Sequence, residues 1–536
     1  MKKLKLVCVA IAMAGAAPTF AGGLLTNTNQ HVAFNRMMSR EASIGIDGVY
    51  YNPAGVVFMG EGHHLAINWQ LAYQTRTINN DYKLFTNNVN NPITPRDFKG
   101  KAFAPVIPSF QYAYNKGKWS FQANFSLTGG GGKCTFDDGL GSFEKIVSET
   151  AIAACGLAGV VDQTLGNKLG QQGMEMFTSD QAFGKTGKYS FNSYMHGRQY
   201  YYGLSAGAAY KFCDNFSAFL GVRGVYALTN YYGYVENINV GNMPLYKVLD
   251  PTKENAANIE LSCDQTGVGF TPIIGVDYKT GRWNFSAKYE FKTRIRLKNK
   301  SVNQTPSIGN LPANLANQMT GILTDKFHNA GLPLEQAKQQ AESTTNAVLN
   351  DPTVGATMMG LKTQFDQKLN KAIGEYEDGK KIAGDIPGYL ALGIGYSPVD
   401  AVRVNVGFHW FDDKNATSYN NRNKELKRGT LEYNAGVEVD VNKKITLSTG
   451  WQNTNYGLSD EYMDDKSFVV GSNSAAIGGV YHINKKMDLN VAYFHTFYQH
   501  KKTSETVQLA ADKSIVYNSD YTRNNNVFAV GLDINF

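Results

Sequence analysis

The segment at residues 40–60, REASIGIDGVYYNPAGVVFMG, decides the architecture expected for the rest of the chain. It is too short and too rich in glycine to form a domain. Asn52-Pro53 is a turn signal, and Pro53 cannot donate to a sheet ladder, so the segment does not read as a strand. It nevertheless carries large apolar side chains that require burial: Ile44, Ile46, Val49, Tyr50, Tyr51, Val56, Val57 and Phe58. Strand patterns begin directly after it. We therefore interpret residues 22–60 as a plug inside a β-barrel formed by residues 61–536.

Residues 1–21 have the parts of a secretory signal peptide. The start is basic, residues 6–17 are apolar but too short to span a membrane, and Thr19-Phe20-Ala21 is a small-x-small cleavage site. Cleavage there removes three lysines from a chain of net charge +7 and leaves about +4. This modest basic balance gives no reason to expect nucleic acid as a partner.

The segment at residues 283–297 shows the alternation that recurs along the chain. One set of alternate positions is apolar: Trp283, Phe285, Ala287, Tyr289, Phe291, Ile295 and Leu297. The other set is polar: Asn284, Ser286, Lys288, Glu290, Lys292, Arg294 and Arg296. A soluble sandwich would turn the polar set to water, whereas a membrane barrel would turn the apolar set to lipid and the polar set to the lumen.

About fourteen such segments are present, and the lengths of their connections decide between the two architectures. Many segments reach the ~9–11 residues that a tilted strand needs to cross a bilayer. Short polar turns alternate with long loops, as in outer-membrane barrels, where the short turns are periplasmic. A soluble sandwich has no reason to sort its loops in this way. The sequence therefore predicts an all-β fold, a fourteen-stranded antiparallel transmembrane barrel in the outer membrane of a Gram-negative bacterium.

Two of the long loops are expected to contain helices on the extracellular side. In loop 130–198 the apolar residues between 143 and 177 follow a helical spacing, and in loop 299–386 the same holds for 311–376. Such apolar helices on a rim either pack on each other as a lid or form a hydrophobic landing surface. Cys134 and Cys155 lie in the first of these loops and could form a disulfide in an oxidising compartment.

With these features the chain resembles the FadL/TodX family of outer-membrane transporters for long-chain fatty acids and other hydrophobic compounds. The resemblance covers essentially the whole mature chain. It depends on Asn52-Pro53-Ala54 in the plug, the fourteen strands, the helical loops after the third and seventh strands, and the C-terminal Phe536. It implies that a hydrophobic ligand is captured among the extracellular helices, moves to a pocket beside the plug, and leaves sideways through a gap in the wall.

The resemblance implies that this gap lies at an inward kink in the third strand. That strand runs into four consecutive glycines, Gly129, Gly130, Gly131 and Gly132, which give the wall a place to bend. The alternative is that these glycines only begin a flexible loop. In either case, exit through a water-filled channel would be unfavourable for an apolar ligand, because transfer of each CH₂ from water to an apolar environment gains about 0.8 kcal/mol of free energy.

Basic residues at lumenal positions are candidates for holding a ligand carboxylate. They are Arg223, Lys288, Lys292, Arg294, Arg296 and Arg403. The alternative is the ordinary charged lining of a barrel, balanced here by acidic residues. The histidines show no metal-ligand spacing and no CxxC motif occurs, so neither a metal nor a cofactor is expected.

We therefore expect a monomer that moves hydrophobic small molecules, contacts outer-membrane lipid and performs no chemistry. Two other functions remain open. A general diffusion porin would lack the plug. A membrane-embedded lipid hydrolase would need a nucleophile and a base facing each other near the rim, and no such pair can be singled out.

Overall fold

The computed structural model describes residues 23–27, 29–171, 173–306, 309–510 and 513–536, and it is a closed antiparallel β-barrel. Fourteen wall strands follow one another around the barrel, and the last pairs with the first from His64↔Asn535 to Tyr82↔Tyr517. Pairing of the last strand with the first leaves no unpaired terminal strand, as a lipid environment requires. The expected barrel is confirmed. The proposed signal peptide, residues 1–21, lies outside the described residues.

The wall strands are numbered β1 to β14 in chain order, and three of them are interrupted. The uninterrupted strands are β1 (Gly62–Tyr82), β2 (Arg96–Lys116), β3 (Trp119–Phe136), β4 (Tyr189–Cys213), β5 (Phe216–Val240), β6 (Ile259–Thr280), β9 (Val402–Phe411), β10 (Arg428–Asn442), β11 (Ile445–Gly457), β12 (Ser472–Asn484) and β14 (Lys513–Asn535). The interrupted strands are β7 (Trp283–Glu290 and Arg296–Gln304), β8 (Lys381–Ala383 and Tyr389–Val399) and β13 (Met487–Tyr498 and Lys501–Ala510).

The two faces of the wall have opposite chemistry, as the alternation predicts. In β1, Ile67 and Trp69 are each 42% exposed on the outside, whereas Asn68 and Gln70 are buried toward the lumen. Apolar residues on the outside and polar residues inside are the arrangement of a membrane-spanning barrel. The chain therefore has the surface of an outer-membrane protein.

The plug fills the lower lumen and is held on every side. It contains α1 (Val32–Met37), α2 (Gly48–Tyr51) and a 3-10 turn (Gly55–Phe58). Its apolar side chains form small clusters with inward-facing wall residues; for example, Phe34, Tyr50 and Tyr51 pack with Phe494. The segment is thus buried inside the wall rather than being part of it.

Within the described ranges, five further α-helices lie at the extracellular end. They are α3 (Gly141–Leu169), α4 (Tyr246–Leu249), α5 (Leu311–Asn329), α6 (Leu334–Leu349) and α7 (Pro352–Ile373). Among the described residues α3 is the one helix long and apolar enough to cross a membrane. It instead packs with α5, α6 and α7 in one hydrophobic cluster.

The extracellular ends of the strands extend further than the sequence indicated. The first large loop was expected to begin at residue 130, but β3 continues to Phe136 and β4 begins at Tyr189. The second was expected at 299–386, but β7 continues to Gln304 and β8 begins at Lys381. At these upper ends inward side chains such as Phe136 and Met195 pack in a hydrophobic cluster, so the pattern of apolar outside and polar inside that marks the rest of the strand does not continue.

Candidate functional site

The wall is open between β2 and β3. Ala102 pairs with Cys134 and Phe110 pairs with Phe125, but residues 103–109 of β2 have no backbone partner on β3 between these points. In the same interval β3 remains paired to β4. We name residues 103–109 of β2 and 126–133 of β3 the wall opening.

Both edges of the wall opening have a local cause. On β2, Pro105 and Pro108 lack the N–H that a ladder needs. On β3, the pairing with β4 shifts register between Leu127 and Gly129 and again between Gly130 and Gly132. Gly130 and Gly132 have φ values of +85° and +96°, which L side chains rarely adopt. The glycine run therefore lies at the bend of β3, and it belongs to a strand and not to a loop.

The N-terminal part of the plug covers the inner side of the wall opening. Gln30 contacts both edges: its carbonyl accepts from Ser109 and Gln111 of β2, and its side-chain amide donates to the carbonyl of Leu127 on β3 at 2.8 Å. A Cβ atom built on Gly129 would lie 2.7 Å from Leu24 Cδ1, so this glycine makes room for the plug.

A cavity of about 420 Å³ lies between the plug, the wall opening and the upper lumen. Its apolar lining includes Leu24, Phe103, Val106, Leu127 and Phe468. It is also lined by three basic residues, Arg76, Lys466 and Arg523, and by no aspartate or glutamate in the described part of the chain. The cavity therefore has a mixed apolar and polar lining and a positive charge.

Arg76 and Arg523 form a pair of like charges within this cavity. They are direct register partners on β1 and β14. Both donate to Gln74 Oε1, Arg76 through Nε at 3.2 Å and Arg523 through Nη2 at 2.7 Å. Arg523 also lies over the Tyr498 ring. Among the described residues neither arginine has a carboxylate partner, and Arg523 Nε is buried without a hydrogen bond.

A second cavity, of about 130 Å³, lies among the extracellular helices. Its lining is almost wholly apolar and comes from α3, α4, α5 and the neighbouring strand ends, with Val147, Leu157, Leu249 and Leu315 as typical members. Between the two cavities a hydrophobic cluster contains Tyr231, Tyr376 and Phe468. The described lining of the upper cavity contains no charged side chain with which to bind a polar head group.

Asn52-Pro53-Ala54 joins the plug to three different strands. Asn52 Nδ2 donates to Asp277 of β6 at 2.6 Å, the Pro53 carbonyl accepts from Gln122 of β3 at 2.7 Å, and the Ala54 carbonyl accepts from Ser217 of β5 at 2.7 Å. The Asn52 side-chain oxygen also accepts from the Gly55 N–H. The motif is therefore the lower attachment of the plug.

A charged network attaches the other side of the plug. Arg36 and Arg40 both pair with Glu438 of β10. His409 of β9 lies between two carboxylates, with Glu41 of the plug 2.7 Å from its Nε2 and Glu432 2.9 Å from its Nδ1. These contacts are buried, so releasing the plug requires breaking several of them together.

Three of the basic residues predicted to line the lumen do so, but each already has an acidic partner. Arg223 and Lys288 both pair with Glu290, at 2.6 and 2.9 Å, and both lie over the Tyr50 ring. Arg403 pairs with Asp440 at 2.6 Å near the periplasmic end. These cations are therefore neutralised by carboxylates of the wall itself.

The lumenal assignment of Arg294 and Arg296 is wrong, and so is the outward assignment of Ile295 and Leu297. Between the pairs Ile273↔Glu290 and Thr266↔Lys298, β6 advances seven residues and β7 advances eight. One additional residue reverses every later side chain.

Ile295 and Leu297 are consequently buried inside, whereas Arg294 and Arg296 are exposed outside. Lys292, at the interruption itself, is partly exposed and donates to the Asn415 carbonyl at 3.1 Å.

The disulfide considered for Cys134 and Cys155 is not formed. Both thiols are free. Cys134 belongs to β3 and packs in the cluster above the lower cavity, whereas Cys155 lies on α3 and donates to the Phe183 carbonyl. The two were expected in one loop, but the extension of β3 places Cys134 in the wall.

The sequence analysis missed Arg76, Lys466, Arg523 and the edge formed by β2. The two prolines at 105 and 108 were a usable signal, because proline is confined to strand edges and bulges. The arginines were not recognisable in this way, since each is an ordinary lumenal residue until the barrel closes.

Comparisons with known proteins identify the fold. A search against protein-family models and a search of curated proteins gave no match. Among solved structures, a Pseudomonas aeruginosa FadL homologue matches with a TM-score of 0.57 and 14% identity, over 96% of this chain and 100% of that one. The TodX deltaS2S3 mutant, a monoaromatic hydrocarbon channel, matches with a TM-score of 0.50 and 13% identity, over 94% of this chain and 98% of that one. The expected FadL/TodX-type fold is confirmed.

Proposed function

We propose that this protein takes up hydrophobic molecules that carry one anionic group and releases them sideways through the wall opening. The neighbours that share its fold are described as a FadL homologue and a monoaromatic hydrocarbon channel, which supports transport of hydrophobic compounds and not enzymatic chemistry. The observation that carries the finer proposal is the lower cavity, with three cations and no carboxylate, beside the wall opening.

Apolar surfaces are present at each stage proposed for the ligand. The upper cavity offers apolar walls for capture, the cluster around Tyr376 and Phe468 separates it from the lower cavity, and Phe103 and Val106 are exposed on the outside at the wall opening. Since burial of each CH₂ is worth about 0.8 kcal/mol, a lipid exit is favourable where an aqueous exit is not.

The anionic part of the ligand would be held by Arg76 and Arg523. Two guanidinium groups on adjacent strands present several N–H donors to one carboxylate, sulfonate or phosphate, and such charge-assisted bonds are the strong ones. The plug would act as the gate, because Leu24 and Gln30 occupy the inner side of the wall opening. Displacement of Leu24 and Gln30 from this position would connect the cavity with the bilayer.

A general diffusion porin fits this structure less well. The lower lumen is filled by the plug, whose residues 29–58 are mostly buried and hydrogen bonded to the wall. A hydrolase is also less favoured, because the described lining of the lower cavity includes neither a histidine nor an acidic residue to activate a nucleophile.

Transport in liposomes tests the proposal with three probes: dodecanoate, dodecanol and sucrose. We expect the purified full chain to accelerate transfer of dodecanoate into the bilayer well above dodecanol, with no entry of sucrose. Equal transfer of dodecanoate and dodecanol would contradict the anionic preference. Passage of sucrose would favour the porin, and release of fatty acid from phospholipid would favour the hydrolase.

A further inference from the structure

The upper segment of β7 presents a row of cations to the outside of the barrel. Because of the additional residue in β7, Arg294, Arg296, Lys298 and Lys300 are exposed at alternate positions. Successive members are about 6.6 Å apart along the strand. A row of basic side chains on the outer wall is unusual beside a lipid-facing surface, because charges there are costly unless they reach polar groups.

The neighbouring strand adds a fifth cation at the centre of this row. Lys381 of β8 is the direct register partner of Lys298, and both are exposed. Like charges directly opposite each other destabilise a sheet. An anion between the two ammonium groups would remove that cost, so the pair indicates a binding site.

Most of these cations have no partner within the chain. Arg296 pairs with Asp385 at 2.8 Å. In the described part of the chain Arg294, Lys298, Lys300 and Lys381 make no ion pair or side-chain hydrogen bond. Acidic groups beside the row include Asp264, which is the register partner of Lys300 and accepts from Asn230, and Asp378, which accepts from the Ser301 N–H. We name Arg294, Lys298, Lys300 and Lys381 the outward basic cluster.

The outward basic cluster begins where the apolar band ends. Val268 and Phe270 of β6 are 64% and 70% exposed on the outer face. An added Cβ atom on Gly267 would lie 2.9 Å from the carbonyl oxygen of Arg296, and one on Gly269 would lie 2.9 Å from that of Arg294. These glycines therefore lie directly beside the two arginines. The cations are therefore level with, or directly above, the last lipid-facing side chains of β6.

We propose that the outward basic cluster binds the phosphate groups of the phosphorylated glycolipid in the outer leaflet of the outer membrane. The charges complement phosphate, and Val268 and Phe270 directly below them would contact the acyl chains of the same molecule. A free phosphate ion would use the charges but gain nothing from these apolar neighbours. The site is separate from the lower cavity, so the proposal does not depend on what the barrel transports.

The test is binding of lipid A, in diphosphorylated and dephosphorylated form, to the purified full chain in detergent, measured by native mass spectrometry. The test variant replaces the four cations: Arg294→Gln, Lys298→Gln, Lys300→Gln and Lys381→Gln. The matched control removes the same charge from exposed periplasmic turns: Lys443→Gln, Lys444→Gln, Lys485→Gln and Lys486→Gln. Retained heat-modifiability on gels shows that each variant is folded.

We expect the test variant to bind diphosphorylated lipid A about tenfold more weakly or worse, with the control variant unchanged. We also expect the dephosphorylated lipid to bind the unmodified chain as weakly as the test variant does. Equal binding by the test variant and the unmodified chain would overturn the proposal, as would equal losses in both variants. Displacement of the lipid by inorganic phosphate at matched concentration would overturn the assignment to a lipid.

Discussion

Arg76 and Arg523 are direct partners in the register of β1 and β14, the strands whose pairing closes the barrel. They donate to the same atom, Gln74 Oε1, and they face a cavity that has no acidic residue among its described lining. Two like charges opposite each other reduce the stability of a sheet. The pair therefore carries a positive charge that a bound anion would offset.

Replacement of both arginines, Arg76→Gln and Arg523→Gln, is expected to reduce binding of dodecanoate by about tenfold or more, because each charge-assisted hydrogen bond contributes about 1.5–3 kcal/mol. Binding of dodecanol should hardly change. The measurement is displacement of a fluorescent fatty acid from the detergent-purified chain. Arg282→Gln is the control, since Arg282 lies in a periplasmic turn and pairs with Asp400. Unchanged dodecanoate binding would contradict the role of the pair.

Replacement of Asn52 and Pro53 by Ala is expected to lower uptake and leave the barrel folded. Asn52→Ala removes the bond to Asp277 and the bond from Gly55, at a cost of about 1–3 kcal/mol for each buried group left unsatisfied. The backbone hydrogen bonds between the wall strands do not involve these side chains and should be unchanged.

Heat-modifiability should therefore persist while transport of dodecanoate falls. Asn215→Ala is the control, because Asn215 bonds the Lys279 carbonyl and does not contact the plug. If the variant shows normal uptake at a normal surface level, Asn52-Pro53-Ala54 has only a packing role.

Substitution of Gly132 by Leu is expected to narrow the wall opening. A Cβ atom at this position would lie 3.4 Å from Ala104 Cβ, on the opposite edge. Gly281→Leu is a matched control: it also places a side chain at positive φ, +55°, but in a periplasmic turn with open space around it. Both variants should lose about 1–2 kcal/mol through backbone strain, yet only Gly132→Leu should slow transfer of dodecanoate. Equal transport rates would show that the ligand leaves elsewhere.

The extracellular lid is expected to lose stability as the pH rises. Burial raises the pKa of Glu375, in the turn Gly374–Tyr376 above the cavity, from 4.5 to about 8. Because the folded state holds this proton more tightly than the unfolded state, the stabilisation is complete below the unfolded pKa and disappears as pH rises through the folded pKa.

Glu375→Gln should therefore raise the melting temperature at about pH 9 and leave it unchanged at about pH 4. Scanning calorimetry of the purified chain measures both. Glu377→Gln is the control, because Glu377 is largely exposed. A gain of the same size at both pH values would indicate better packing instead of a titrating carboxyl group.

Much of this architecture could be predicted because lipid and lumen impose a period of two on every wall strand. Residues such as Ile67, Trp69, Asn68 and Gln70 therefore reveal their own orientation, and Asn52-Pro53 marks a segment that cannot join the wall. The prediction failed at Arg294, where one additional residue reversed the pattern. Assigning side chains to alternate faces cannot detect such a reversal, because the assignment assumes an uninterrupted strand.

The sequence by itself determined the barrel, the plug and the extracellular helices, since each follows from local spacing of apolar and polar side chains. Tertiary structure alone decided which cations have partners. Lys288 and Arg223 are neutralised by Glu290, whereas Arg76 and Arg523 meet where the first strand pairs with the last and have no acidic partner in the part of the chain that the structure describes. Charge at a site is the sum over groups brought together by closure of the whole ring, and no local stretch of sequence contains that sum.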